Sequence, residues 1–212
     1  GMSTPIIETR HLTKYFKTPR GILHAVEDVS LTIEPGKTIG VVGESGCGKT
    51  TLGRVITRLE EATSGEVYLD GREILQLKGR EKNAIYHDMQ MIFQDPYSSL
   101  NPRMSVGNII ADPIETMGAK MSHKELNQKV LHLMETVGLP ARYYNQYPHE
   151  LDGGRRQRVG LARALALDPK FIVCDEPVSA LDVSIQAQIL DLLMDLQDQK
   201  QLAYMFITHN LF

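Results

Sequence analysis

The sequence predicts an α/β protein built on a parallel sheet, and three stretches carry that expectation. Thr38-Ile39-Gly40-Val41-Val42 is short and apolar, Gly43-Glu44-Ser45-Gly46-Cys47-Gly48-Lys49-Thr50 follows it, and Thr51, Leu52, Val55, Ile56 and Leu59 then recur at helical spacing. Strand, glycine-rich loop and helix in that order form a βα unit whose loop can wrap an anion. Phe171-Ile172-Val173-Cys174 is an apolar run ending in Asp175-Glu176, as a buried strand does when it presents carboxylates at its C-terminal edge. Between about 97 and 167 the texture turns helical, which reads as a helical subdomain inserted between two parts of one sheet.

In chain order, Ile6–Arg10 and Val29–Ile33 alternate in the manner of half-buried strands, with a polar loop from Lys17 to Gly21 between them. Tyr15-Phe16 either stack on a base or fill core; both readings stay open here. Glu34-Pro35-Gly36-Lys37 is a turn leading into a buried parallel strand at 38–42. Ser64-Gly65 opens a second set of strands, in which Glu66–Leu69 is a strand and Asp70-Gly71 a hairpin turn. Met89–Phe93 is another apolar strand, ending at Gln94-Asp95-Pro96.

Pro96, Pro102 and Pro113 make the start of the helical region irregular. Ser122-His123-Lys124-Glu125 has the pattern of a capping box, followed by a stripe of Leu126, Val130, Leu133, Met134 and Val137 that Gly138 and Pro140 close. The stripe reads as core. A second helix follows Leu151-Asp152-Gly153-Gly154 and runs to Leu167. Asp182 starts a helix with Ile185, Ile189, Leu192, Leu193 and Leu196 on one face. Ala203–Ile207 is the last strand, and His209 sits just past its end.

Composition bounds the function. The 212 residues are 42% hydrophobic and 23% charged, ordinary for a globular protein, and the net charge of −3 does not support nucleic-acid binding through a basic surface. No apolar run approaches the ~18 residues of a membrane span, and the first residues hold Glu8, Arg10 and Lys14 rather than an apolar signal core. Two cysteines make no disulfide framework, so the cytoplasm is the expected compartment. Gly1 before Met2 reads as a tag remnant.

The 43–50 stretch fits G-x-x-x-x-G-K-[ST] at every fixed position. Its glycines let the backbone turn tightly, and its N–H groups with the helix N-terminus face phosphates. Lys49 is expected to reach the β- and γ-phosphates and Thr50 to ligate Mg²⁺. Asp175 is expected to hold Mg²⁺ directly or through water, and Glu176 to orient and deprotonate an attacking water. His209, at the same sheet edge, is expected to contact phosphate. Cys47 either is activated by the helix N-terminus and Lys49 or simply fills a tight loop.

With these motifs in hand, the chain resembles the ATP-binding subunit of an ABC transporter over nearly its whole length. Five segments stand in that family's order: the loop at 43–50, the Gln94 loop, Leu151-Asp152-Gly153-Gly154 opening a helix, Asp175-Glu176, and Ser179-Ala180-Leu181-Asp182 ahead of His209. Gln94-Asp95-Pro96-Tyr97-Ser98-Ser99-Leu100-Asn101-Pro102 and the 174–184 stretch are similar to the oligopeptide and dipeptide importer branch, which nickel importers share. The resemblance implies a P-loop NTPase core with an antiparallel β subdomain and an inserted helical subdomain, all within one nucleotide-binding domain over 1–212.

It also implies a head-to-tail dimer with two sites for ATP and Mg²⁺, each pairing the P-loop of one subunit with the glycine motif of the other. Gly43, Glu44, Ser45, Gly46, Cys47, Gly48, Lys49, Thr50 and Thr51 would bind phosphates. Thr50, Gln94 and Asp175 would serve Mg²⁺ and its water. Glu176 would be the general base, with His209 contacting the γ-phosphate. Phe16, after Leu12-Thr13-Lys14, matches the family's adenine-stacking aromatic better than Tyr15. Asp152, Gly153, Gly154 and Asp182 would complete the nucleotide site. The implied partners are integral-membrane permease subunits, a second like or unlike ATPase subunit and, indirectly, an extracytoplasmic solute-binding protein, at the cytoplasmic face of the membrane. No nucleic-acid partner is implied.

The chain departs from the family in two ways. Asp152 and Arg155 stand where a serine and a glutamine are usual, and the sequence ends at Phe212, just after His209, where family members continue, so a truncated form with weak turnover is expected. A carboxylate at 152 cannot donate to phosphate and sets like charge against it, which would favour an asymmetric pair of different subunits; alternatively, Asp152 merely caps its helix while Arg155 and Arg156 neutralise it. The rival readings are a soluble ABC ATPase not coupled to transport, and a nucleotide-binding module with weak turnover.

Overall fold

The computed structural model of the chain describes residues 4–42, 47–93, 99–177 and 181–208, and of Cys47 the backbone alone. Two compact units divide it: residues 1–91, 170–176 and 196–212 form one, residues 92–169 and 177–195 the other.

The first unit holds two sheets. β1 (Ile7–Thr18), β2 (Gly21–Ile33), β4 (Ser64–Leu69) and β5 (Arg72–Glu73) make an antiparallel sheet in the order β2-β1-β4-β5. The polar loop expected at 17–21 shrinks to Pro19-Arg20, because Phe16↔Leu23, Lys17↔Ile22 and Thr18↔Gly21 continue the ladder. Polar side chains cost nothing on an exposed hairpin arm, so polarity there did not mark a loop. The register of β1 shifts between Thr9 and Leu12, and again on either side of Lys14. His11 and Asp28 take left-handed φ of 49° and 50° at this irregularity. At the Asp70-Gly71 turn both residues have positive φ, 50° and 85°, as a type I′ hairpin requires.

The second sheet runs β3-β8-β7-β6, from β3 (Thr38–Val42), β8 (Ala203–Thr208), β7 (Phe171–Asp175) and β6 (Met89–Ile92). β3 and β7 each pair with β8 in parallel. β7 is buried at every residue, but β3, expected to be buried, alternates between half-buried and exposed. It stands at the end of the described strand order, where one of its sides has no neighbouring strand.

Helix α1 (Cys47–Ile56) packs on β2 and also touches β1, β7 and β8, burying Leu52, Val55 and Ile56. Leu59, expected on the same stripe, lies beyond the helix and is exposed. Arg58 takes φ 62° there, and its guanidinium turns inward to donate to the carbonyls of Ile74 (3.0 Å) and Leu77 (2.6 Å). A second helix, α2 (Gly79–Asp88), was not expected: Ile85 is its one buried residue, so it has no apolar stripe to read.

The second unit is helical. It contains α3 (Val106–Thr116), α4 (His123–Thr136), α5 (Gly153–Leu165) and the part of α6 (Val183–Lys200) up to Asp195. The prolines hid α3. Pro113 falls in its later turns, where it forfeits one helical hydrogen bond while its own carbonyl still accepts from Met117 N–H at 3.0 Å; burial of Val106, Ile109, Ile110 and Ile114 outweighs the loss. Ser122 caps α4 as expected, accepting from Glu125 N–H at 3.1 Å and donating to its carboxylate at 3.0 Å. Val130, Leu133, Met134 and Val137 are buried, and Gly138 closes the helix at φ 73°. α5 ends two residues before the expected Leu167. Ile189, Leu193 and Leu196 form the buried face of α6, with Ile185 and Leu192 only partly covered.

Among the described residues no helix is long and apolar enough to cross a membrane.

Candidate nucleotide site

Parallel pairing gathers the C-terminal ends of three strands at one edge of the first unit. Val42 stands opposite Thr208, and Asp175 opposite Ile207. α1 starts beside that edge, where ligands sit in α/β sheets. The Thr50 hydroxyl donates to Asp175 Oδ2 at 3.2 Å, joining the helix start to the strand end. The Lys49 ammonium donates to the Thr208 carbonyl at 3.4 Å. A backbone carbonyl leaves no mark in a sequence, so this partner was not foreseen.

Gly48 has a packing reason to be glycine: a Cβ there would lie 2.6 Å from the Ala25 carbonyl of β2. Gly53, a turn and a half further on, faces Val173 of β7, whose Cγ1 would lie 2.7 Å from an added Cβ. The two glycines let α1 lie close to β2 on one side and β7 on another. Thr51 is buried in the same helix.

Asp175 and Glu176 are both buried, 6% and 5% exposed. Glu176 adopts φ 47°, uncommon for a residue with a side chain, and its N–H donates to the Ile207 carbonyl at 2.8 Å. A left-handed residue directly after β7 turns the chain sharply at the end of the strand. Cys174 is fully buried in β7, and burial pushes its thiol well above the ordinary range, which makes it unreactive.

Phe16 lies half-buried in β1, with the Lys14 ammonium 4.9 Å from its ring centroid. Tyr15 is committed elsewhere: its ring packs on His24 at 4.2 Å between centroids, and its hydroxyl donates to Glu27 at 3.0 Å, which raises the phenol above its ordinary value.

The glycine motif belongs to the second unit. Asp152 caps α5, its Oδ1 accepting from Arg155 N–H at 2.8 Å and its Oδ2 from the Arg155 guanidinium at 2.5 Å. That guanidinium also lies 4.9 Å over the Tyr143 ring. Gly153 and Gly154 face the start of α6; added Cβ atoms would lie 3.1 Å from Leu181 Cδ2 and 2.8 Å from Ile185 Cγ2. Asp182 is exposed and its carbonyl accepts from Gln186 N–H at 2.8 Å.

The structure thus brings Lys49, Thr50, Asp175 and Glu176 together in one unit, and Asp152, Gly153, Gly154 and the Leu181-Asp182 segment together in the other. Gly43, Glu44, Ser45, Gly46, Gln94 and His209, and the side chain of Cys47, lie outside the described residues. Hydroxyl and carboxylate side by side are hard oxygen donors suited to Mg²⁺, which takes few protein ligands and keeps the rest for phosphate and water. A lysine at the start of the same helix suits phosphate.

The family model described as "ABC transporter" matches residues 26–179. The "Oligopeptide transport ATP-binding protein OppF" of Bacillus subtilis is 54% identical over 211 residues, which cover 99% of this chain and 69% of that protein. The "Dipeptide transport ATP-binding protein DppF" of Haemophilus influenzae is 48% identical over 215 residues, covering 99% of this chain and 65% of that one. Among solved structures, the dimeric post-hydrolysis state of the ATP-binding cassette MJ0796, bound to ADP and Pi, matches with a TM-score of 0.87 at 31% identity, over 96% of this chain and 88% of that chain.

Proposed function

The chain belongs to the ABC transporter family, and from that premise we propose that it is the subunit that binds and hydrolyses ATP to drive an importer of oligopeptides or dipeptides. The observation that carries the reading is the Thr50–Asp175 contact beside Lys49 at the C-terminal edge of the parallel sheet. The relatives at 54% and 48% identity, named for oligopeptide and dipeptide transport, support the substrate class.

In this reading Lys49 and the N–H groups at the start of α1 bind the β- and γ-phosphates. Thr50 and Asp175, with Gln94, hold Mg²⁺, which when bound neutralises charge across the phosphate oxygens. Glu176 orients a water and takes its proton as the water oxygen attacks the γ-phosphorus and the bond to the bridging oxygen breaks. His209 contacts the γ-phosphate. Phe16 stacks on adenine. Gly153, Gly154 and Asp182 serve the nucleotide held by a second ATPase subunit, and Asp152 stands in the same motif as a helix cap. The helical unit docks on integral-membrane permease subunits at the cytoplasmic face of the membrane, and a solute-binding protein outside delivers the peptide.

The test is to isolate the full-length protein from membranes. Co-purification with permease subunits, and ATP hydrolysis that rises with peptide-loaded binding protein, is the expected result. A soluble full-length ATPase that carries no membrane subunits overturns the transport reading.

Asp152 makes a sharper prediction. Both its oxygens are engaged by Arg155, so it satisfies its own helix and offers no donor to a phosphate bound by a partner. A hydrogen bond to a charged group is worth ~1.5–3 kcal/mol, so Asp152→Ser is expected to raise ATP-dependent dimerisation roughly tenfold or more. Sedimentation of the full-length variant with its partner subunit, with and without ATP, measures this. An unchanged dimer fraction leaves helix capping as the sole role of Asp152.

A further inference from the structure

Lys14 joins β1 to the chain that leaves α1. Its ammonium lies 4.9 Å from the centroid of the Phe16 ring and 3.4 Å from the Glu60 carboxylate, and its side chain is only 14% exposed. Glu60 lies four residues past the end of α1, and its N–H donates to the Arg54 carbonyl of that helix at 3.1 Å. The backbone repeats the link on both sides of Lys14. Thr63 N–H donates to the Thr13 carbonyl at 2.8 Å, and Tyr15 N–H donates to the Thr63 hydroxyl at 2.9 Å. The stretch of β1 that carries Phe16 is therefore tied to the chain leaving α1 through Thr13, Lys14 and Tyr15 in succession.

A cation on one face of a phenyl ring is attracted by the ring's negative face and resists rotation of the ring away from it. Held by Glu60, the ammonium cannot follow the ring if the ring swings out. It therefore restricts Phe16 to an orientation in which the other face is presented. We propose that Lys14 is a positioning residue for the nucleobase: with Glu60 it orients Phe16 as a stacking platform and sets that platform relative to the phosphate-binding helix. The inference rests on the reading that Phe16 stacks on adenine.

An ion pair that merely stabilised the fold would affect every ligand of this unit alike. A positioning role is confined to ligands that carry a base. The experiment is calorimetric titration of the 212-residue chain with ATP and, separately, with inorganic tripolyphosphate, which has the phosphates and no base. Wild type, Phe16→Ala, Lys14→Met, Lys14→Arg and Glu60→Gln are compared. Because Lys14 acts on the base only through the orientation of Phe16, Lys14→Met is expected to weaken ATP binding roughly two- to fivefold and to leave tripolyphosphate binding unchanged. Lys14→Arg, which keeps a cation over the ring, restores ATP affinity, and Glu60→Gln falls between Lys14→Met and wild type.

Three results would overturn the proposal, each at a different point. If Phe16→Ala leaves ATP affinity unchanged, the stacking reading fails and the role of Lys14 falls with it. If Phe16→Ala weakens ATP but Lys14→Met does not, stacking stands and the positioning role is wrong. If Lys14→Met weakens ATP and tripolyphosphate equally, the lysine acts on the phosphates or on the fold.

Discussion

Replacing Glu176 with glutamine is expected to lower ATP hydrolysis by the full-length complex by about 10²- to 10⁴-fold and to leave ATP binding intact. The amide has nearly the shape of the carboxylate, so the packing of this buried side chain survives, as does the bond from its N–H to the Ile207 carbonyl at 2.8 Å. What it loses is the ability to accept a proton from water. The backbone supports a dedicated role: φ 47° at a non-glycine residue costs on the order of 1–3 kcal/mol and persists where the surroundings impose it. Lys49→Ala is the contrasting variant, expected to lose binding as well, because in the proposed reading it removes the cation that binds the phosphates. Phosphate release and nucleotide affinity, measured on both variants, separate the two roles. Near wild-type turnover by Glu176→Gln would show that some other group takes the proton.

The second large effect is on stability, at Gly65. This glycine has φ 100°, and a Cβ there would lie 2.5 Å from the His11 carbonyl oxygen and 2.6 Å from Leu12 Cα. Both neighbours are backbone, so no side chain can move aside. Gly65 sits where β4 passes the register shift in β1, between the Arg10↔Glu66 and Thr13↔Ser64 pairs. Gly65→Ala is expected to cost roughly 2–5 kcal/mol, the sum of left-handed strain and overpacking. Gly21→Ala is the matched control. Its φ of 119° is also positive, but nothing lies within 4 Å of an added Cβ, so it should show strain alone, about 1–2 kcal/mol. Urea midpoints of the two variants decide the matter; equal losses would mean that the clash in β1 is relieved by a small backbone shift.

Much of the architecture could be read without coordinates, and the reasons are local. The stretch 38–56 announces a βα unit because an apolar run, a glycine-rich loop and a helical stripe follow one another without interruption. Phe171–Asp175 is legible because a strand buried throughout must be apolar until it ends. Ser122 and Asp152 show themselves as caps because capping is a contact over three residues. The elements that escaped were those whose signal is absent or misleading: α2 buries one side chain, α3 carries a proline, and the arms of the β1–β2 hairpin are polar because they are exposed.

The sequence alone determined the residue types of the candidate site, since a phosphate loop and a pair of strand-end carboxylates are continuous motifs whose chemistry follows from composition and spacing. Tertiary structure decided their meeting and their surroundings. Thr50 reaches Asp175 across 125 positions, and Lys49 meets a backbone carbonyl 159 positions away. Both contacts depend on parallel strands that end at a common edge. It also decided that Tyr15 is occupied with His24 and Glu27 while Phe16 stands beneath Lys14. Adjacent residues of a strand point to opposite faces, and which face meets which neighbours depends on strand pairing and on the bulges that re-aim it.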